Sequence, residues 1–354
     1  MRQTACPLQF VCIAVNSHAF IHGEPPKRGM GGCIGKVYHV WNGVKMMEWK
    51  RDIRTSGEVI KIEGFFPGTG ERGEYLTFPS LERTGIVRHL ITTRFGGVSE
   101  GEFSTMNFSF SRGDSEEHVR ENYQRISRVL GCNTEDMVAS QQTHTTNIRQ
   151  VTENDRGKGV TRPLDYQNVD GLMTNESGLA LVTFFADCVP LLFVDPVHHA
   201  IGSAHSGWRG TAAKMGQHMV TALGDTFGTR PEDLQAAIGP SICQTCYEVS
   251  EDVAEQFVDL DKEAELLKQE ILVKRIYRSG LEGGIPRVVC PGASKGKYQL
   301  DLWLANLLIL LQAGIPLQQI AVTDICTMHN SRRLFSHRAS GGRRGNMAAF
   351  LMLI

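Results

Sequence analysis

The sequence of 354 residues has no long hydrophobic run, almost no net charge and no regular spacing of its cysteines. No apolar stretch approaches the roughly 20 residues that a membrane-spanning helix requires, so we expect no transmembrane segment. The chain has 37 lysines and arginines and 38 aspartates and glutamates, which gives a formal charge of −1. Without a net basic field, we expect no binding to nucleic acid or to a membrane surface.

The nine cysteines are odd in number and irregularly placed, which favours reduced thiols over a secreted disulfide framework. The apolar stretch at 8–15 is interrupted by Gln9 and lacks a convincing small-residue cleavage site, so we expect no signal peptide. These features predict a cytoplasmic protein.

The chain divides into two parts that differ in composition and periodicity. Residues 1–45 contain a Pro-Pro pair, a glycine-rich stretch and little periodicity, which predicts an atypical N-terminal segment and a candidate for disorder. Residues 58–354 alternate strand-like and helix-like patterns and are long enough to bury a large core. We predict that 58–354 form a single catalytic domain.

Several segments in the second part have clear periodicity. Residues 179–185, 191–194 and 200–204 are apolar on both faces, which predicts buried strands. Further strands are predicted at 87–94, 236–238, 320–322 and 348–354. Apolar residues at helical spacing predict helices at 114–130, 210–227, 249–258 and 300–312.

Two chemically reactive side chains follow the predicted buried strands. Cys188 follows 179–185, His205 follows 200–204, and a second histidine, His144, lies upstream. A catalytic zinc usually has three protein ligands of the imidazole or thiolate type and one open position. The spacing alone equally fits a buried cysteine with two hydrogen-bonded core histidines. The positions at strand ends favour a metal site, because strand ends present side chains to a cleft.

The turn at 206–210 leads directly into a predicted helix. Backbone N–H groups at a helix start attract anions, so Arg209 is a candidate for binding phosphate, although a structural ion pair is the alternative. The pair Cys243 and Cys246 forms an isolated Cys-x-x-Cys pattern, which favours buried or incidental thiols over a redox site. The basic, glycine-rich loop at 335–346 fits either closure over an anion or a solvated loop.

Eight short motifs together resemble the family of zinc-dependent purine nucleoside phosphorylases formerly named multicopper polyphenol oxidases or laccase-domain proteins. The motifs run in order along the chain and lie at 92–99, 142–144, 170–172, 186–190, 205–210, 237–242, 247–249 and 335–338. The chain departs from the usual family pattern at Thr145, at 338–340 and at 345–347.

The resemblance implies an α/β fold with a mixed sheet or β-sandwich-like core and flanking helices, similar to bacterial deamidase toxins that use a Cys–His pair. It implies that His144, Cys188 and His205 bind zinc. It also implies phosphorolysis of adenosine, inosine and methylthioadenosine, with deamination of adenosine as a further activity. The expected partners are a purine nucleoside and phosphate, and the oligomeric state is left open.

Three other functions remain as alternatives. A copper-dependent polyphenol oxidase is disfavoured because the 12 histidines include no His-x-His pair, which multicopper enzymes usually repeat. A metal-free hydrolase could use Cys188 as nucleophile and His205 as base. A zinc-stabilised binding module would bind metal without turning over a substrate.

Overall fold

A computed structural model describes residues 49–51, 59–67, 72–265, 267 and 286–354, together with the backbone of 40–41 and 44–45. These residues belong to one compact unit, Ile34–Ile354. The predicted atypical segment 1–45 lies outside the described residues apart from those two pairs, and the assignment of 58–354 to one catalytic domain stays a prediction.

The described part of the chain forms strands that pair into four sheets. In chain order the strands are β1 (Val40–Trp41), β2 (Val44–Lys45), β3 (Lys61–Phe65), β4 (Gly73–Thr77), β5 (Val87–Thr92), β6 (Met137–Ala139), β7 (Ile148–Gln150), β8 (Gly171–Thr174), β9 (Ala180–Phe185), β10 (Val189–Asp195), β11 (Ala200–Ser206), β12 (Gln235–Ile238), β13 (Glu248–Ser250), β14 (Val289–Pro291), β15 (Lys297–Leu300), β16 (Ile320–Val322) and β17 (Met347–Leu353). One six-stranded sheet has the order β3-β4-β5-β17-β9-β6, and the other has the order β16-β12-β10-β11-β8-β7. The strands β1 and β2 form a hairpin, and β13, β15 and β14 form a small sheet.

The helices lie between and beside these strands. They are α1 (Pro79–Glu82), α2 (Glu116–Leu130), α3 (Trp208–Ala212), α4 (Met215–Phe227), α5 (Glu251–Glu255), α6 (Val258–Glu263), α7 (Leu302–Gln312) and α8 (His337–Ser340). No described helix is long and apolar enough to cross a membrane.

The two six-stranded sheets pack face to face around a shared core. In β10, Leu192 and Val194 point into this core, together with Leu181 of β9 and Leu351 of β17. Side chains alternate between the two faces of a strand, so the neighbours of these residues point outwards. The arrangement is a β-sandwich, as expected from the resemblance.

The outer faces of the sandwich are covered by helices. Phe193 of β10 packs in a second core that includes Met219 of α4 and Trp303 of α7. Phe350 of β17 packs in a third core with Tyr123 of α2. The central strands are therefore apolar on both faces because each face meets a different layer. The predicted α/β class with a mixed sheet and flanking helices is confirmed.

The predicted helix at 210–227 is wrong in one respect. The structure has two helices, α3 and α4, separated at Lys214, whose φ of +58° is left-handed. The glycines of this segment lie inside the helices, Gly210 in α3 and Gly216 and Gly224 in α4. The break therefore has no glycine or proline signal in the sequence.

The predicted helix at 249–258 is wrong at its start and is not continuous. Val249 and Ser250 belong to β13 and pair with Tyr298 and Lys297 of β15, and only then do the short helices α5 and α6 follow. Pairing with a strand about fifty residues away overrides the local helical pattern. The predicted strands at 87–94, 179–185, 191–194, 200–204, 236–238, 320–322 and 348–354 and the helices at 114–130 and 300–312 are confirmed, with end shifts of a few residues.

Candidate functional site

The side chains of His144, Cys188 and His205 meet in space, although they are far apart in the sequence. One ligand-type atom from each lies within 4.8 Å of the other two. The rings of His144 and His205 are edge to face, with centroids 4.9 Å apart. We call these three residues the triad.

Cys188 lies where the chain crosses from one six-stranded sheet to the other, between β9 and β10. The crossover is tight, and the preceding residue, Asp187, has a φ of +85°. The Asp187 carboxylate accepts hydrogen bonds from the Thr327 hydroxyl at 2.6 Å and from the backbone N–H of Arg338 at 2.7 Å. These contacts hold a backbone conformation that a non-glycine residue rarely adopts, and such strain is concentrated at functional sites.

His205 is buried near the end of β11, opposite Pro190 of β10. Its Nδ1 lies 2.8 Å from Oδ1 of Asp170. Hydrogen bonds from His205 and from backbone N–H groups outweigh the effect of burial and lower the pKa of Asp170 to about 2. An ionised carboxylate can only accept, so Nδ1 of His205 carries a proton, and Nε2 is the ring nitrogen that could bind a metal ion once its own proton is lost.

His144 lies in the loop between β6 and β7 and has a φ of +65°. This loop wraps around the same carboxylate, because the N–H groups of Thr143, His144 and Thr145 all donate to Asp170 at 2.9–3.1 Å. One buried carboxylate therefore orients one histidine through its ring and the other through its backbone. Asp170 was not predicted as a site residue, although it opens the family-like motif at 170–172.

The electrostatics of the triad favour a thiolate. Burial raises the pKa of Cys188, but the charge of His205 and hydrogen bonds from His144 and His205 outweigh burial and lower it to about 6. Burial lowers the pKa of His205, and the charge of Cys188 together with the bond to Asp170 raises it to about 9. Without a metal, Cys188 and His205 form a thiolate–imidazolium pair at neutral pH.

The donor set of the triad fits a metal ion of the zinc type. Two imidazoles and one thiolate are ligands that zinc prefers, and a carboxylate behind a histidine is the usual outer partner of such a ligand. A reactive cysteine also has a lowered pKa, so the pKa of Cys188 alone does not separate a ligand from a nucleophile.

Because Gly207 has no side chain, it leaves room for the triad side chains to approach one another. A Cβ atom at this position would lie 3.0 Å from Sγ of Cys188 and 3.0 Å from Cδ2 of His144. Any larger residue would therefore push against two of the three candidate ligands. Gly210, three residues on, would bring its Cβ no closer than 3.6 Å to a neighbour.

The triad lies in the wall of a pocket of about 660 Å³. This volume falls in the range of roughly 300–1,000 Å³ that is typical of small-molecule sites. The lining includes four phenylalanines, of which Phe110 and Phe184 are partly exposed, and the buried Arg344. The pocket thus combines flat apolar surface with a cation and the candidate metal ligands.

Arg344 has spare hydrogen-bonding capacity. Its Nη1 donates to Gly345 O at 3.0 Å and to Asn346 Oδ1, but its buried Nε has no partner among the residues that the structure describes. Burial and the charge of Arg112 lower the pKa of Arg344 to about 10, which leaves it protonated at neutral pH. A buried cation with an unpaired donor is a favourable place for an anion.

Arg209, the arginine predicted to bind phosphate, does not line this pocket. It is exposed on α3, 4.2 Å over the ring of Trp208, and lines a separate pocket with Gln256. Its role stays a prediction. The signal for Arg344 was the basic loop at 335–346, but the sequence did not show which of its arginines faces the triad.

Comparison with known proteins places these features in a family. A sequence model of the family described as multi-copper polyphenol oxidoreductase laccase matches residues 88–354. "Purine nucleoside phosphorylase YlmD" of Bacillus subtilis is 34% identical over 261 residues, which cover 73% of this chain and 86% of that protein. The protein of the same name from Geobacillus stearothermophilus is 36% identical over 263 residues, covering 74% and 88%.

Two further matches concern the fold and a second activity. The crystal structure of the hypothetical protein YfiH of Bacillus licheniformis superposes with a TM-score of 0.69 at 33% identity, covering 79% of this chain and 96% of that one. A protein named "Adenosine deaminase RL5", from an unknown prokaryotic organism, is 29% identical over 255 residues, covering 72% and 89%. The chain therefore belongs to the laccase-domain family, whose curated relatives include proteins named purine nucleoside phosphorylases.

Proposed function

We propose that the protein catalyses phosphorolysis of purine nucleosides, with adenosine, inosine and methylthioadenosine as substrates, at a zinc ion held by His144, Cys188 and His205. The observation that carries the proposal is the meeting of the triad in a pocket that also contains the partly exposed rings of Phe110 and Phe184 and the buried Arg344. The names of the relatives support the same reaction.

Phosphorolysis requires that phosphate attack C1′ of the ribose while the bond from C1′ to the purine breaks. The negatively charged phosphate and the electron-rich purine must therefore be held at one sugar, in a site that excludes water. Zinc, when bound, supplies positive charge that polarises or orients an oxygen ligand.

The chain's own residues supply the remaining functions. Arg344 offers its Nε to an oxygen of phosphate, as a charge-assisted hydrogen bond. The partly exposed rings of Phe110 and Phe184 offer apolar surface for a purine. Asp170 holds the proton on Nδ1 of His205 and so leaves Nε2 as the nitrogen that would bind zinc.

Deamination of adenosine is part of the proposal as a further activity. The relative named adenosine deaminase RL5 favours it. A metal site with an open position can activate water as well as orient phosphate, so both reactions fit the same triad. Replacing phosphate by a non-nucleophilic buffer should leave deamination and abolish phosphorolysis.

A metal-free cysteine hydrolase is the second candidate, and the low pKa of Cys188 favours it. Copper is the less favoured metal, and the protein is proposed to act in the cytoplasm. Metal analysis and chelation separate the zinc-dependent enzyme from the metal-free hydrolase, since the hydrolase would retain activity in the presence of a chelator. Copper in place of zinc would support an oxidase.

The test is to incubate purified protein with inosine and phosphate and to measure hypoxanthine and ribose 1-phosphate. We expect both products in equal amounts, and neither without phosphate. Cys188→Ala should abolish turnover, whereas Cys132→Ser, which changes a half-buried thiol outside the pocket, should not. Full turnover by Cys188→Ala, or hypoxanthine formed without phosphate, would contradict the proposal.

A further inference from the structure

A second group of metal-ligand type lies outside the pocket. The Sγ atoms of Cys243, Cys246 and Cys326 and a ring nitrogen of His329 all lie within 4.8 Å of one another. Sγ of Cys246 is 3.2 Å from Nε2 of His329, and Sγ of Cys243 is 3.7 Å from its Nδ1. A tetrahedral zinc ion, with bonds of about 2.3 Å to sulfur and 2.0–2.1 Å to nitrogen, separates its ligand atoms by roughly 3.5–3.8 Å. The group, which we call the tetrad, is close to that size.

The fold brings the tetrad together from two adjacent strand ends. Strands β12 and β16 are parallel neighbours, so their carboxyl ends meet at the same edge of the sheet. Cys243 and Cys246 follow β12, and Cys326 and His329 follow β16. Each pair has the spacing of two intervening residues that is common in zinc sites.

The surroundings of the tetrad favour thiolates. Sγ of Cys326 accepts the backbone N–H of Cys243 at 3.3 Å and that of His329 at 3.5 Å. Hydrogen bonds from N–H groups stabilise the negative charge of a metal-binding sulfur. A disulfide would join only two of the three sulfurs and would leave the third thiol and the imidazole without a role.

We propose that Cys243, Cys246, Cys326 and His329 bind a structural zinc ion. Four protein ligands fill a tetrahedral coordination sphere, so no position remains for a substrate. Cys243 and Cys326 are buried, whereas Cys246 and His329 are more exposed and give the ion a route of entry. This site is separate from the triad and does not depend on the proposed reaction.

The position of the tetrad indicates what the ion does. Thr327, next to Cys326, donates its hydroxyl to the Asp187 carboxylate, and Ile242, next to Cys243, donates its N–H to the Asp187 carbonyl at 3.0 Å. The ion therefore ties together the two loops that hold Asp187, which is adjacent to Cys188. An ion that binds only the folded chain also stabilises the fold.

The test is to count zinc in protein purified under reducing conditions and supplied with zinc chloride alone. The key variant is Cys188→Ala, which leaves the tetrad intact and should retain one zinc ion per chain. Adding Cys246→Ser to that variant should remove this ion, and adding Cys132→Ser as the matched control should not. The thermal midpoint of the first double variant should fall by several degrees relative to the second.

Thiol titration keeps the test decisive if Cys246→Ser does not fold. In zinc-loaded Cys188→Ala protein, a thiol reagent should modify the tetrad cysteines only after a chelator is added. Zinc-free Cys188→Ala protein, or tetrad thiols that react equally before and after chelation, would overturn the proposal. A single zinc ion that survives the loss of Cys246 would overturn it as well.

Discussion

The triad and the tetrad differ in the number of ligands that the chain supplies and in what lies beside them. The triad offers three donors in the wall of a pocket of about 660 Å³ that also contains Arg344. The tetrad offers four donors at a sheet edge. Two of them are buried thiols and two belong to more exposed side chains, and the four ligand atoms lie within 4.8 Å of one another. A set of three donors leaves room for a reactant, whereas a set of four leaves none. We therefore propose a catalytic role for the first cluster and a structural role for the second.

The largest expected effects come from variants that each remove one thiol, either from the triad or from the tetrad. Cys188→Ala should lower turnover of inosine by more than about 100-fold, the upper effect of losing an outer metal partner. Its thermal midpoint should fall by less than that of Cys246→Ser, since the proposed triad zinc has three protein ligands and the proposed tetrad zinc has four. Cys246→Ser should lower the midpoint by several degrees and reduce turnover, at a temperature where the variant is folded, by less than about tenfold. The paired measurements are initial rates and thermal unfolding, and the reverse pattern would exchange the two assignments.

The carboxylate behind the triad should matter through the metal. Asp170→Asn removes the acceptor that fixes His205, and loss of such a partner lowers metal affinity by about 10–100-fold. The matched control is Asp195→Asn, since Asp195 is equally buried and contacts Nδ1 of His198 at 2.8 Å, outside the pocket lining. Competition with a zinc chelator measures the affinity. Equal affinities for the two variants would contradict the role of Asp170.

The buried arginine should affect phosphate more than nucleoside. Arg344→Gln removes a charge-assisted hydrogen bond of about 1.5–3 kcal/mol, which corresponds to a rise in KM for phosphate of roughly 10- to 100-fold. The KM for inosine should change little. Arg343→Gln alters the exposed neighbour, which does not line the pocket, and serves as control. A similar loss in both variants would mean that the basic loop acts only through its overall charge.

Space at the triad is a smaller but more specific test. Gly207→Ala places a methyl group 3.0 Å from both Cys188 and His144, so these side chains must move by a few tenths of an ångström. We expect zinc affinity at the triad to fall about tenfold. Gly210→Ala, in ordinary contact only, should leave it unchanged, and the tetrad zinc should survive in both variants.

The smallest change concerns pH in the metal-free protein. Because the pKa of Cys188 is lowered to about 6, its alkylation by iodoacetamide should rise with pH around 6 rather than around the ordinary value of about 8.5. His205→Ala removes the positive charge that lowers this pKa, so the alkylation profile should shift to higher pH. Rates measured from pH 5 to 9 test this, and identical profiles for the two proteins would contradict it.

The sequence predicted the layers of the fold well because the central strands carry a two-sided apolar pattern. Residues 179–185 were predicted as a buried strand, and the two faces of that strand pack in different cores. It did not predict the break at Lys214, which lacks glycine and proline, nor strand β13, whose partner is distant in the chain. Local patterns do not encode such pairings.

Some residues of the candidate site were likewise predicted from the sequence, and others were not. The spacing of His144, Cys188 and His205 is compatible with metal binding but did not require it, and the resemblance to a family carried the choice. Asp170 and Arg344 were missed because their roles depend on three-dimensional contacts. The tetrad was missed because its second pair consists of Cys326 and His329 rather than of two cysteines.

The most direct test of the central claim is a crystal structure with anomalous scattering measured across the zinc absorption edge. We predict a zinc peak bound by His144, Cys188 and His205 with one side open to the pocket, beside a second peak enclosed by the tetrad. A map with no peak at the triad, from zinc-supplied protein that converts inosine and phosphate to hypoxanthine, would contradict the account.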